Sequence, residues 1–199
     1  MSDDEYFEAI YRNADGDRDR LGWTRPGPEP MLTAWLDKEP HAPGRALVVA
    51  CGVGDDAEYL ASCGWDVTAF DVSPTAIQWC RERFPNSPVD YQVADLFELP
   101  QIWRRAFDLV AEVWTIQSIP PQQTGQAIDS IAELVADGGT LLVATLTSDI
   151  AEPGNGPPWP VRLEALNRFT EGGLVAMSRV EQTTPYPTVG SLKIEYRRA

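Results

Sequence analysis

Histidine and lysine are almost missing from this sequence: His41 is the one histidine, and Lys38 and Lys193 are the only lysines. The three cysteines, Cys51, Cys63 and Cys80, are an odd number and form no C-x-x-C pair. A zinc centre needs several imidazole or thiolate ligands at close spacing, and a disulfide framework needs paired cysteines. No metal site and no disulfide scaffold are therefore expected. Long apolar runs are lacking too, and the opening MSDDEYFEA has neither the basic region nor the apolar core of a signal peptide. No membrane span is expected, and a reducing cytoplasm is the expected compartment. Basic charge is scarce, with 16 Lys and Arg against 30 Asp and Glu, a formal net charge of −14. Such a field repels phosphate backbones and anionic lipid, which argues against nucleic acid and membrane partners. The nearest thing to a basic patch, Arg197-Arg198, is expected to decorate an edge strand.

What is present is a chain of 199 residues, the size of one ordinary domain, with 43% hydrophobic residues. Ser2 and Glu5 form a capping-box pattern, and Tyr6, Phe7, Ile10 and Tyr11 recur at helical spacing, so an amphipathic helix opens the chain. The following NADGDRDR has only the outline of a calcium loop, since Arg18 stands at the turn-glycine position and Thr24 at that of the bidentate glutamate. It reads as a solvated loop. From Gly44 onward strands and helices alternate: RALVVA, a helix from about Asp55 to Cys63, DVTAFD, and a helix opened by Ser73-Pro74. VDYQVAD, FDLVAEVW and GGTLLVATL follow as apolar strands. A helix from Pro121 to Ala136 is expected to bury Ile128, Ile131, Leu134 and Val135. This pattern predicts an α/β fold with a doubly wound, mostly parallel sheet. LVAMSRVEQT and SLKIEYRR close it as an antiparallel C-terminal hairpin, because their short connection cannot hold a helical crossover.

Gly52, Gly54 and Ala57 satisfy the G-x-G-x-x-G/A pattern, with Asp71 nineteen residues after Gly52. A dinucleotide would set its pyrophosphate at the start of the next helix, where Asp55 and Asp56 stand. Each carboxylate about 5 Å from a phosphate costs about 3 kcal/mol at an effective dielectric constant of about 20. A ligand with a ribose, no phosphate and positive charge fits better, and S-adenosylmethionine (SAM) is such a ligand.

The stretch ALVVACGVGDDAEYLASCGWDVTAFDVSPTAI resembles the first two motifs of class I SAM-dependent methyltransferases. YQVADLF resembles the family's adenine-edge motif, and LVADGGTLLV its glycine turn before the fifth strand. The resemblance implies a seven-stranded Rossmann-like sheet in a single domain, 1–199. Its parts would be an N-terminal cap (1–43), a SAM-binding core (44–146), a lid loop (147–160), and a C-terminal helix and hairpin (161–199). It also implies cofactor-binding roles. The backbone from Cys51 through Gly52 to Gly54 would approach the methionine part, and Asp71 would accept both ribose hydroxyls. Val72 would pack on the adenine, Asp95 would accept from its amino group, and the Leu96 backbone would donate. The alternative for Asp71 and Asp95 is a strand-end turn or a helix cap, and Ser73 reads as a helix N-cap.

GPPW at Gly156 to Trp159 and the aromatic N-terminal segment with Trp23 are similar to thiopurine methyltransferases and their thiol, halide and tellurite relatives. That likeness implies that Trp23 covers the cofactor and that Pro157 to Trp159 close over a small-molecule methyl acceptor. Where those enzymes carry an Asp-Arg pair and a glycine, this chain has Glu112-Val113-Trp114, so the arginine that would face an anionic acceptor is missing. Glu112 is the leading candidate for a polar contact or a base, although it could simply close its strand. Trp159 is a candidate for the acceptor side, with filling of the apolar gap between loop and core as the alternative. Trp114, Gln117 and Arg25 are weaker candidates, with core packing, helix capping and surface solvation as theirs. Neither Asn-Pro-Pro-Tyr nor a Pro-Cys nucleophile occurs, which sets nucleobase and glutamine methylation aside. Two rivals remain. A non-catalytic SAM-binding protein would keep the same cofactor residues, and an NAD-dependent oxidoreductase would need hydride-transfer machinery, of which the Tyr-x-x-x-Lys pattern is absent. Nothing in the sequence reads out oligomeric state or the acceptor.

Overall fold

The apolar run Ala46 to Val49 is buried along its whole length, and it forms strand β1 (Arg45–Val49) because a strand covered on both faces needs no polar alternation. The computed structural model describes residues 3–38, 42–149, 156–185 and 188–199. The chain packs as two compact units, Met1–Glu98 and Leu99–Ala199.

The first unit holds α1 (Asp3–Ala14), a 3-10 turn at Arg18–Arg20, α2 (Pro30–Lys38), β1, α3 (Asp55–Ser62), β2 (Asp66–Asp71), α4 (Pro74–Arg83) and β3 (Asp90–Val93). β1 pairs parallel with β2 and β2 with β3, as expected of strands joined by helical crossovers. α4 starts as the sequence implies: Ser73 Oγ accepts from the Ala76 N–H at 3.0 Å and Pro74 takes the first helical position. Ser2 of the expected capping box, and His41, lie outside the described residues. The NADGDRDR segment is a capped turn, with Asp17 accepting from the Asp19 N–H at 3.0 Å.

The second unit holds β4 (Phe107–Val113), α5 (Thr124–Ala132), β5 (Val135–Thr147), α6 (Asn167–Glu171), β6 (Leu174–Thr183) and β7 (Gly190–Arg198). β4 and β5 are parallel, and β7 runs antiparallel to both β5 and β6. The seven strands form one sheet in the order β3-β2-β1-β4-β5-β7-β6, mostly parallel with the antiparallel hairpin at its end.

Two expectations are corrected here. The helix expected to reach Ala136 ends at Ala132, and Val135 belongs to β5, opposite Phe107. The Glu133 carbonyl accepts from Arg105 N–H and the Leu134 carbonyl from Phe107 N–H, so this backbone serves the neighbouring segment instead of a further helical turn. Arg198 does not decorate an edge. β7 is an inner strand, and Arg198, only 4% exposed, donates to the carbonyls of Val135 and Gly172 at 2.9 Å and to that of Ala132. It thereby satisfies a carbonyl left free at the C-terminus of α5, where a cation is also favoured by the helix dipole.

Candidate active site

The glycine turn follows β1 through backbone that most side chains disfavour. Ala50 has φ +46°, Gly52 +55° and Gly54 +90°. Cys51 N–H donates to Phe70 O at 2.8 Å, tying the turn to β2, and Gly54 N–H closes it on Cys51 O at 3.0 Å. A β-carbon on Gly54 would lie 2.7 Å from the Tyr91 hydroxyl, itself fixed by Glu58 at 2.7 Å, so this position needs glycine for space as well as for φ.

Asp71 ends β2 and is 5% exposed. Its Oδ2 accepts from Gly52 N–H at 3.0 Å and its Oδ1 from Ser73 N–H at 2.9 Å. Burial nevertheless pushes its carboxyl up to about 6, against the pull of these backbone donors. Each oxygen keeps acceptor capacity beyond its one backbone bond. Val72 is half-buried beside it. Asp95 accepts from Phe97 N–H at 2.8 Å in a turn, and the Leu96 side chain is buried.

Over Gly52 lies a residue that sequence reasoning missed. The Tyr11 hydroxyl is 3.3 Å from where a Gly52 β-carbon would be, and Tyr11 is 3% exposed. Burial first, then the charge of Asp71, holds its phenol well above the usual range. Trp23 and Trp79 meet the Tyr11 ring edge-on at 5.7 and 5.8 Å, and Trp23 leaves 45% of its surface open. Glu8, also missed, docks α1 on α4 by accepting from Ser73 Oγ at 2.6 Å and Thr75 Oγ1 at 2.7 Å. The only sequence signal for Tyr11 was its place on a helical apolar stripe, which does not separate a lining residue from a packing one.

Asp55 and Asp56 stand at the start of α3 as expected, but they are not bare charges. Arg18 reaches Asp55 at 3.0 Å and Arg83 reaches it at 3.1 Å. Asp56 accepts from Glu29 N–H at 2.6 Å, with Arg25 3.9 Å away and paired to the buried Glu29. The repulsion expected toward a phosphate is therefore largely offset by guanidinium groups that come from elsewhere in the chain. Arg25 is thus an ion-pair partner and not a solvated surface residue.

In the second unit, Glu112 is fully buried near the carboxyl end of β4. Its Oε1 accepts from Thr115 and Ile116 N–H at 2.8 and 2.9 Å, while its Oε2 is buried without a partner among the described residues. Burial pushes this carboxyl up to about 7. Trp114 follows at φ +61°, a costly conformation for an aromatic residue, held by its N–H on Ala144 O at 2.7 Å. Gln117 Oε1 accepts from Leu146 N–H at 2.5 Å, so it braces β5 instead of capping a helix. Trp159 donates its backbone N–H to Gln117 O at 2.6 Å, and its indole lies against Gly156, where a β-carbon would clash with the ring. Residues 150–155 of the expected lid loop lie outside the described residues. Among the described residues no cluster of three or more His, Cys, Asp or Glu could hold a metal, and no helix is long and apolar enough to cross a membrane.

Residues 46–139 match the family model described as a methyltransferase domain. The span takes in the glycine turn, Asp71, Asp95 and Glu112. The match covers a little under half of the chain, which is thus similar to methyltransferases over that span. The chain is 29% identical to thiocyanate methyltransferase 1 of Brassica oleracea, over 70% of this chain and 62% of that one. The chain thus spans about three-fifths of that relative's length. A ubiquinone biosynthesis O-methyltransferase of Xylella fastidiosa is 31% identical over 65% of this chain and 56% of its own. The fold is shared with magnesium protoporphyrin IX methyltransferase from Synechocystis PCC 6803, solved with SAM bound. The TM-score is 0.74 at 17% identity, covering all of this chain and 98% of the other.

Proposed function

We propose that this protein transfers a methyl group from SAM to a small-molecule acceptor with a soft nucleophile, a thiol being the favoured class, in the cytoplasm. The observation that carries the reading is the glycine turn joined to Asp71: a side-chain-free backbone with a buried carboxylate hydrogen-bonded to Gly52 N–H. Ligands of open α/β sheets bind at the carboxyl ends of strands where strand order reverses, and the order reverses at β1, which leads into this turn. The residues fit the cofactor. Asp71 retains lone pairs for a ribose diol, Asp95 and Leu96 follow β3 where the family's adenine edge falls, and Trp23 offers an open aromatic face suited to a sulfonium. SAM supplies an activated methyl whose leaving group is a neutral thioether, so the chain's own task is alignment and exclusion of water.

The sulfur preference rests on the thiocyanate-type relative and on the missing arginine beside Glu112, which leaves the acceptor side without that fixed cation. We assign Glu112 to the ligands, as a polar contact or as the base that takes the acceptor's proton. Calorimetry with SAM, its demethylated product and NAD tests the cofactor. Saturable heat is expected from the first two and none from NAD, and the reverse order would end the reading. The offset charges of Asp55 and Asp56 make this comparison necessary.

Trp159 is assigned to the lid over the acceptor, with Trp114 as its companion on the acceptor side. Trp159→Ala should raise the acceptor's KM or lower kcat while SAM affinity and Tm stay near the wild-type values. A Tm lowered by many degrees with normal turnover would make the indole a packing residue on Gly156.

A further inference from the structure

Among the described residues, the last strand of the sheet has no cover. β6 pairs with β7 on one side and ends the sheet on the other. Leu174 is buried, but Val175, Met177 and Val180 are 53%, 56% and 52% exposed, and Arg179, Glu181, Gln182 and Thr183 are exposed as well. Side chains alternate between the faces of a strand, so the exposure of Arg179 and Val180 together means that both faces are open. A long edge with apolar side chains is a template for another strand, and natural proteins usually blunt it. Here the blunting consists of the register shift between Ala176 and Ser178 and of the charges Arg179 and Glu181, and the pairing from Ser178 onward is regular.

The charge pattern of that stretch identifies the partner as a second copy of this chain. Arg179 and Glu181 share a face and already touch at 2.5 Å. An antiparallel copy related by a two-fold axis through Val180 sets Arg179 of each chain opposite Glu181 of the other. Val180 then meets Val180 on the opposite face, and Ser178 meets Gln182. Moving the axis one residue either way sets Arg179 against Arg179 or Glu181 against Glu181, and like charges directly opposite each other are destabilising. The strand is therefore complementary to itself in this register, and its neighbouring registers are penalised.

We propose that the chain forms a two-fold dimer by antiparallel pairing of residues 178–182 of β6, extending the sheet from one copy into the next. The test is sedimentation velocity of the full chain over a wide concentration range. The mass is expected to rise from the 22.0 kDa monomer to twice that value. Arg179→Glu alone, or Glu181→Arg alone, sets like charges opposite each other and should weaken association by about ten-fold or more. The double variant Arg179→Glu/Glu181→Arg restores complementarity and should restore the dimer. Circular dichroism and Tm confirm that the variants are folded, since all of these side chains are exposed. A wild-type chain that stays at 22.0 kDa throughout, or single and double variants that associate alike, would overturn the proposal.

Discussion

Asp71→Ala should weaken SAM binding by about 1.5–3 kcal/mol, or ten-fold to somewhat over a hundred-fold, the scale of hydrogen bonds to a charged group. The loss has two sources. The ribose hydroxyls lose their acceptor, and Gly52 N–H and Ser73 N–H lose the oxygens that hold the turn's backbone in place. Asp71→Asn separates them: it keeps one acceptor but turns an amide NH2 toward the other backbone donor, so the turn should suffer although the side chain's size is unchanged. Stability carries a second signature. Burial raises this carboxyl from 3.8 to about 6 in the folded protein, so the folded state binds more protons than the unfolded chain between those values. The contribution of Asp71 is therefore most favourable at low pH and declines as pH rises through that window. Asp71→Ala should remove that part of the pH dependence of Tm. A folded variant that binds SAM normally would take Asp71 out of the site.

The frame of the protein was legible because its signals are local. Apolar runs, a glycine pair and an acid nineteen residues on are all set by the period of a strand and the length of a crossover. Ser73-Pro74 announced a helix start by the chemistry of the cap itself. The N-terminal cap was legible only as a helix with an apolar stripe. That Tyr11 lies on Gly52, that Glu8 caps α4, and that Arg18 and Arg83 neutralise Asp55 are pairings across 28 to 67 residues, and no spacing rule reaches that far. The same limit explains Arg198, which reads as a terminal surface charge until the carbonyls of Ala132, Val135 and Gly172 are brought to it. Glu112 lay between the two cases. Its position near the end of an apolar strand marked it, whereas its unpartnered oxygen is a property of packing alone.

That oxygen sets the largest expected effect on activity. With its pKa raised from 4.5 to about 7, Glu112 is about half protonated near neutrality. If it takes a proton from the acceptor, kcat/KM should fall on the acid side with an apparent pKa near 7, and Glu112→Gln should lose that limb together with about 10²-fold or more of the rate. Glutamine keeps the acceptor for Thr115 and Ile116 N–H and removes only the ionisation, so the backbone after β4 should stay in place. The stability change should run the other way. A carboxyl with a raised folded pKa stabilises the fold least at high pH, its contribution declining as pH rises from 4.5 to about 7. A shift of this size corresponds to about 3 kcal/mol, less the cost of burying the new amide. Glu112→Gln should therefore melt higher than the wild type above pH 7 while turning over more slowly. A Tm gain with an unchanged pH-rate profile would instead place Glu112 outside proton transfer, as a group that only holds the chain after β4.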